Sequence, residues 1–172
     1  DALAVYGRLY RQNIALMRFL KGTATPCPSA LYSAGVLALN GELREQFGRD
    51  EPNRERIAEL LKEADLAAIS LEADTLEYTI RKNLEAQARK FAESPETLDL
   101  LQRVRANVDL VEKLPFKVNL RTLQNIFHAV ADRKYLEYVR KKQEGDRAAS
   151  EWVDLFAKIC EKINLRTPEN HD

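Results

Sequence analysis

The sequence predicts an all-α protein, an irregular bundle of six to eight helices, and three observations carry that reading. Leucine and alanine, 24 and 21 residues, outnumber the 16 valines and isoleucines together, a balance that favours helix over strand. Apolar residues recur at spacings of three, four and seven rather than two. The strongest breakers fall between these periodic stretches. The same composition excludes some functions. Twenty-seven basic residues balance 27 acidic ones, so the formal charge is zero and there is no basic footprint for nucleic acid. No run approaches the ~20 apolar residues of a membrane span, and none resembles a signal peptide.

The elements follow in order. Over 2–21, Val5, Leu9, Leu16, Met17 and Leu20 share one helical face, predicting a first helix buried along that stripe and ending near Gly22. Pro26 and Pro28 make the next segment a rigid connector. A second helix covers 31–47, with a break at Asn40-Gly41, a pair that readily takes positive φ. Asn53 caps a third, whose stripe is Ile57, Leu60, Leu61 and Ala64 and which stops before Ser70. Asp74 with Glu77 forms a capping-box start for the fourth, carried by Leu76, Ile80, Leu84, Ala88 and Phe91. Ser94-Pro95 opens the fifth, through Leu98, Leu101, Val104, Val108 and Val111. Leu114-Pro115-Phe116 interrupts it. Asn119 then caps a sixth through Leu123, Phe127 and Val130 toward Tyr135 and Tyr138, with a kinked restart at Asp132. After Gly145 the last helix buries Trp152, Val153, Phe156, Ile159, Cys160 and Ile163. One domain over 1–166 and a frayed tail over 167–172 result. Because the chain starts at Asp1 and is amphipathic from Leu3, it reads as part of a longer polypeptide.

Chemistry is sparse. The cysteines, Cys27 and Cys160, form no CxxC pair and read as free thiols of a reducing, cytoplasmic compartment. With only His128 and His171 as histidines, no metal centre is expected, no glycine-rich loop offers a phosphate cradle, and no cofactor or catalytic residue is assigned. Glu72, Asp74 and Glu77 are helix-start charges, and Arg140-Lys141-Lys142 is a solvated helix end. Acid-first pairs such as Glu85/Arg89, Asp99/Arg103 and Glu137/Lys141 mark solvated faces. The candidate contact residues are Gln124, Asn125 and His128 on the sixth helix, either a hydrogen-bonded packing network or a ligand or partner contact. Tyr135, Tyr138 and Trp152 are the aromatic candidates, either core or flat faces for a sugar ring.

Leu114-Pro115-Phe116-Lys117-Val118-Asn119-Leu120 followed by Gln124-Asn125 resembles a segment near the end of bacterial proteins related to glycoside hydrolase family 57. Leu39-Asn40-Gly41-Glu42-Leu43-Arg44 and Asp74-Thr75-Leu76-Glu77-Tyr78 are similar to that region in the same order. The resemblance implies an α-amylase or α-mannosidase-like parent whose catalytic carboxylates lie on an N-terminal β/α barrel. This chain would then be a noncatalytic accessory domain packed against that barrel, bordering its glycan cleft, in cytoplasmic polysaccharide processing. A free-standing helical adaptor that binds another protein is the alternative. No nucleic acid and no membrane is expected as a partner.

Overall fold

The computed structural model describes residues 2–168; residues 169–172, with His171, lie outside the described residues. The elements are α1 (Ala2–Gly22), α2 (Ser29–Phe47), α3 (Arg54–Ala67), α4 (Ala73–Glu93), α5 (Leu98–Val111), α6 (Arg121–Val130), a π-helical turn (Ala131–Tyr135), α7 (Leu136–Gln143) and α8 (Arg147–Lys162). The π turn joins α6 to α7 without a break, so these are seven helices, and no strand occurs among the described residues. The architecture is the all-α bundle that the apolar periods predict. The chain groups into two compact units, Asp1–Ile80 and Arg81–Asp172, with the division inside α4.

In the first unit α1 packs on α2 and α3. Its buried residues are Gly7, Tyr10 and Met17. The predicted stripe is therefore corrected: Met17 is buried, but Val5 is 62% and Leu16 45% exposed. The helix is rolled so that its large ring and thioether, rather than its smaller aliphatic residues, fill the space against α2 and α3. Close approach explains Gly35, where a Cβ would stand 2.7 Å from Ile69 Cδ1 and 3.1 Å from Tyr10 Cδ2. α2 is also corrected, since it runs unbroken through Asn40 and Gly41. Asn40 is buried and uses its amide as a staple. Its Nδ2 donates to Val36 O (2.8 Å) and Ser70 O (3.1 Å), and its Oδ1 accepts from Glu72 N (2.7 Å). With every polar atom partnered, asparagine is held within the helix instead of ending it.

The core of the second unit is aromatic. Phe127 stacks on Phe91 (5.6 Å between centroids) and Phe156 (5.1 Å), and Phe156 stacks on Trp152 (4.7 Å). Buried Asn107 on α5 donates to Gln87 Oε1 on α4 at 2.6 Å. The π turn has a packing reason. At 100° per residue Tyr135 would sit about 120° round the helix from Leu123, away from the core. The wider i→i+5 turn brings Val130, Ala131 and Tyr135 all inward, and each is buried. The expected restart at Asp132 is thus a continuous wide turn.

Helix ends account for the remaining differences. Asn53 Oδ1 accepts from Arg56 N, and Asp146 Oδ1 from Ala149 N. α4 starts at Ala73, placing Asp74 in its first turn rather than at the cap, because Asn40 already holds the N–H of Glu72. Ser94-Pro95 forms a turn closed by Thr97 N donating to Ser94 O, and α5 begins after Thr97. Ala24, Ala68, Gly145 and Asn164 all have positive φ, and each is followed by a residue whose N–H reaches back five positions, as Ile69 N does to Ala64 O. The last of these turns folds the chain back, and Thr167, assigned by sequence to the tail, is buried.

Candidate functional site

The residues singled out by sequence do not form one constellation. Gln124 is half-buried, and its Nε2 donates to Ile163 O at 2.6 Å, bonding α6 to one of the carbonyls left unpaired at the end of α8. Asn125 and His128 are exposed, and His128 Nδ1 lies 3.1 Å from Asp132 Oδ2 in an i,i+4 pair on the solvent side. Of the proposed polar trio, only Gln124 reaches across to another helix through a bond within the unit.

The aromatic candidates lie on the π turn, α7 and α8. Trp152 is 1% exposed, and its Nε1 donates to Pro95 O at 2.6 Å. Tyr135 is equally buried, with its ring 5.7 Å from Phe156 and 6.4 Å from Trp152. Tyr138 is half-buried and stacked on Trp152 at 4.2 Å, with Lys141 Nζ 5.1 Å from its ring centroid. Lys141 and Lys134 hydrogen-bond the Glu137 carboxylate and together hold its pKa down to about 2. Lys142 reaches Asp154 at 2.8 Å, so the basic run is engaged at the end of α7.

Two further charge clusters stand out. Glu85, which the sequence places with Arg89 on a solvated face, is instead buried on α4. Burial pushes its carboxyl up, but the Thr122 hydroxyl with Lys82 and Arg81 outweighs that and holds it below the ordinary carboxylate range. A cavity of about 330 Å³ between α1 and α2 is floored by Ala4, Gly7 and Gly41 and rimmed by Arg11, Glu42 and Arg49. Arg49 already pairs with Glu45 at 2.6 Å, and Glu42 with Arg56 at 2.7 Å.

Both cysteines are free, and burial pushes the Cys160 thiol up to about 12, which keeps it protonated and unreactive. Among the described residues no group of three or more His, Cys, Asp or Glu is placed to hold a metal ion, and no helix is long and apolar enough to cross a membrane. The feature that sequence reasoning placed on the wrong side is the outer face of α1. There Val5, Leu16 and Phe19, the last 65% exposed, stand in solvent. No protein-family profile, curated protein or solved structure matches the chain.

Proposed function

We propose that the chain is a noncatalytic accessory helical domain of a family 57-like glycoside hydrolase that works on polysaccharide in the cytoplasm. The observation that carries this reading is what the residues behind the resemblance do. Asn40 pins the segment between α3 and α4 to α2, Asn119 Oδ1 accepts from Arg121 N at the start of α6, and Gln124 bonds the end of α8. Side chains used in this way hold helices in register, which suits a buttress. The outer layer of a β/α barrel is helical, so such a domain would meet it helix on helix.

The test has two parts. Incubated with α-glucans and α-mannosides, the chain should release no sugar; turnover that disappears on changing one of its own acids overturns the reading. In the polypeptide that carries it, deleting residues 1–172 should lower the thermal midpoint of the barrel, and an unchanged midpoint and activity would also overturn it. A free-standing adaptor is the second reading, favoured by the exposed apolar face of α1.

A further inference from the structure

The cavity between α1 and α2 contains hydrogen-bond donors that the fold does not use. Its floor is made by Gly7 and Gly41, which lie inside their helices and offer no side chain. Glycine is disfavoured in a helix interior relative to alanine, and neither of these two ends a helix. The space they leave, about 330 Å³, falls at the lower end of small-molecule sites. Arg11 lies along the wall. A Cβ on Gly7 would stand 3.2 Å from its Nη1 and 3.3 Å from its Nη2, so the bare backbone of Gly7 lets the guanidinium settle beside the floor. It makes no ion pair or hydrogen bond among the described residues. The second donor is Gln46, which also lines the cavity and is only 6% exposed. Asn53 N donates to its Oε1 at 3.2 Å, which fixes the amide and leaves Nε2 without a partner among the described residues. So nearly buried an amide is ordinarily satisfied at both ends.

We propose that this cavity binds a small organic acid, its carboxylate on Arg11 and an oxygen of the same molecule accepting from Gln46 Nε2. Charge selects the class. Of the other charged groups that line the cavity, Glu45 and Arg49 pair at 2.6 Å, and Glu42 is held by Arg56 at 2.7 Å, which leaves the positive charge of Arg11 over. One spare cation beside two carboxylates suits a monoanion. Phosphate, with more negative charge, meets Glu42 and Glu45 at the same rim and is disfavoured. A planar carboxylate also matches the forked N–H groups of a guanidinium. The remainder of the ligand lies on the backbone of the two glycines and the methyl groups of Ala4 and Ala38, which favours a short aliphatic chain. The inference goes beyond the accessory reading and does not depend on it.

The experiment is an NMR titration of the isotope-labelled chain with sodium 3-hydroxybutyrate at constant ionic strength, with 1,3-butanediol as the uncharged counterpart. The side-chain amide of Gln46 and the backbone amides of Gly7 and Gly41 should shift saturably, with a Kd of about 1 mM, and the diol should leave them in place. Arg11→Gln removes the spare charge and should weaken binding at least about tenfold. Gln46→Glu keeps an acceptor for Asn53 N but puts a negative oxygen where the donor was, and should weaken binding as much when followed at Gly7 and Gly41. Arg140→Gln, an exposed arginine of the second unit that does not line the cavity, should change nothing. Arg11 is itself exposed, so an unchanged circular dichroism melt of Arg11→Gln separates lost binding from lost fold. No saturable shift up to about 50 mM, equal shifts with the diol, or undiminished binding in Arg11→Gln overturns the inference. So does tighter binding of inorganic phosphate, the mark of a general anion site, or of N-acetyl-trialanine, the mark of a site for a peptide end. None of these outcomes bears on the sugar-release assay, so the two readings fail separately.

Discussion

Replacing Asn40 by alanine removes three hydrogen bonds, and only two of them tie distant parts of the chain together. The bond to Val36 O lies within α2, whereas those to Ser70 O and from Glu72 N hold the start of α4. Each long-range bond is worth about 0.5–1.5 kcal/mol net. Ser70 and Glu72 are exposed, so water can reach the groups left behind, and alanine gains up to about 0.7 kcal/mol of helix propensity over asparagine. The balance is a loss of roughly 1–2 kcal/mol, measured by urea unfolding followed by circular dichroism. Hydrogen exchange adds a local readout, because the Glu72 amide should lose protection while amides in the middle of α8 keep theirs. Asn40→Asp sharpens the test. It keeps the acceptor but turns a carboxyl toward the carbonyl oxygens of Val36 and Ser70, which favours its neutral form. Its folded pKa therefore lies above the unfolded value of about 3.9, so the stability of this variant relative to the natural chain is greatest below about pH 4 and falls as pH rises through the folded value. A stability change in Asn40→Ala below about 0.3 kcal/mol with unaltered Glu72 exchange would refute the staple, because so small a change is at the level of ordinary surface substitutions.

Gln124→Ala should cost about 1 kcal/mol in urea unfolding, since its partner, Ile163 O, lies in the same unit. Ala68→Gly should stabilise by about 0.5 kcal/mol: relief of a left-handed alanine, ~1–2 kcal/mol, outweighs the added freedom of the unfolded chain. Gly35→Ala gains helix propensity but meets Ile69 and the buried Tyr10 ring, for a net loss of about 1–2 kcal/mol, and Ile69→Val in the same chain should recover part of it in a double-mutant cycle. The lowered Glu85 pKa means that its stabilising contribution is present above the ordinary carboxylate range and lost as pH falls through the folded value. The stability gap between Glu85→Gln and the natural chain should therefore close in acid titrations.

The periodic parts of the fold were legible. Leu76, Ile80, Leu84, Ala88 and Phe91 are all buried, as are Trp152, Val153, Phe156, Ile159, Cys160 and Ile163, because each set belongs to a long helix with one clearly apolar side. Helix ends were less legible, for a physical reason. Two of the left-handed residues that close helices are alanines, Ala24 and Ala68, and nothing local distinguishes them from the alanines inside helices. The end of α1 was legible, since Gly22, near which the sequence stops it, is its last residue. Asn40-Gly41 looked like a break because the three partners of the Asn40 side chain include Ser70 and Glu72, 30 and 32 residues away.

The candidate sites show the same limit in another form. A helix with apolar residues on two sides does not announce which side the fold will bury, and α1 has both the Val5–Leu16–Phe19 row and the Tyr10–Met17 pair. What decides is the surface it meets, where Gly35 leaves room for the Tyr10 ring because a Cβ there would stand only 3.1 Å from it. Once Tyr10 and Met17 are buried, the row of Val5, Leu16 and Phe19 must face outward. Burial on one face of this helix is thus what exposes the other, and it leaves Val5 and Leu16, which the sequence offers as core, in solvent.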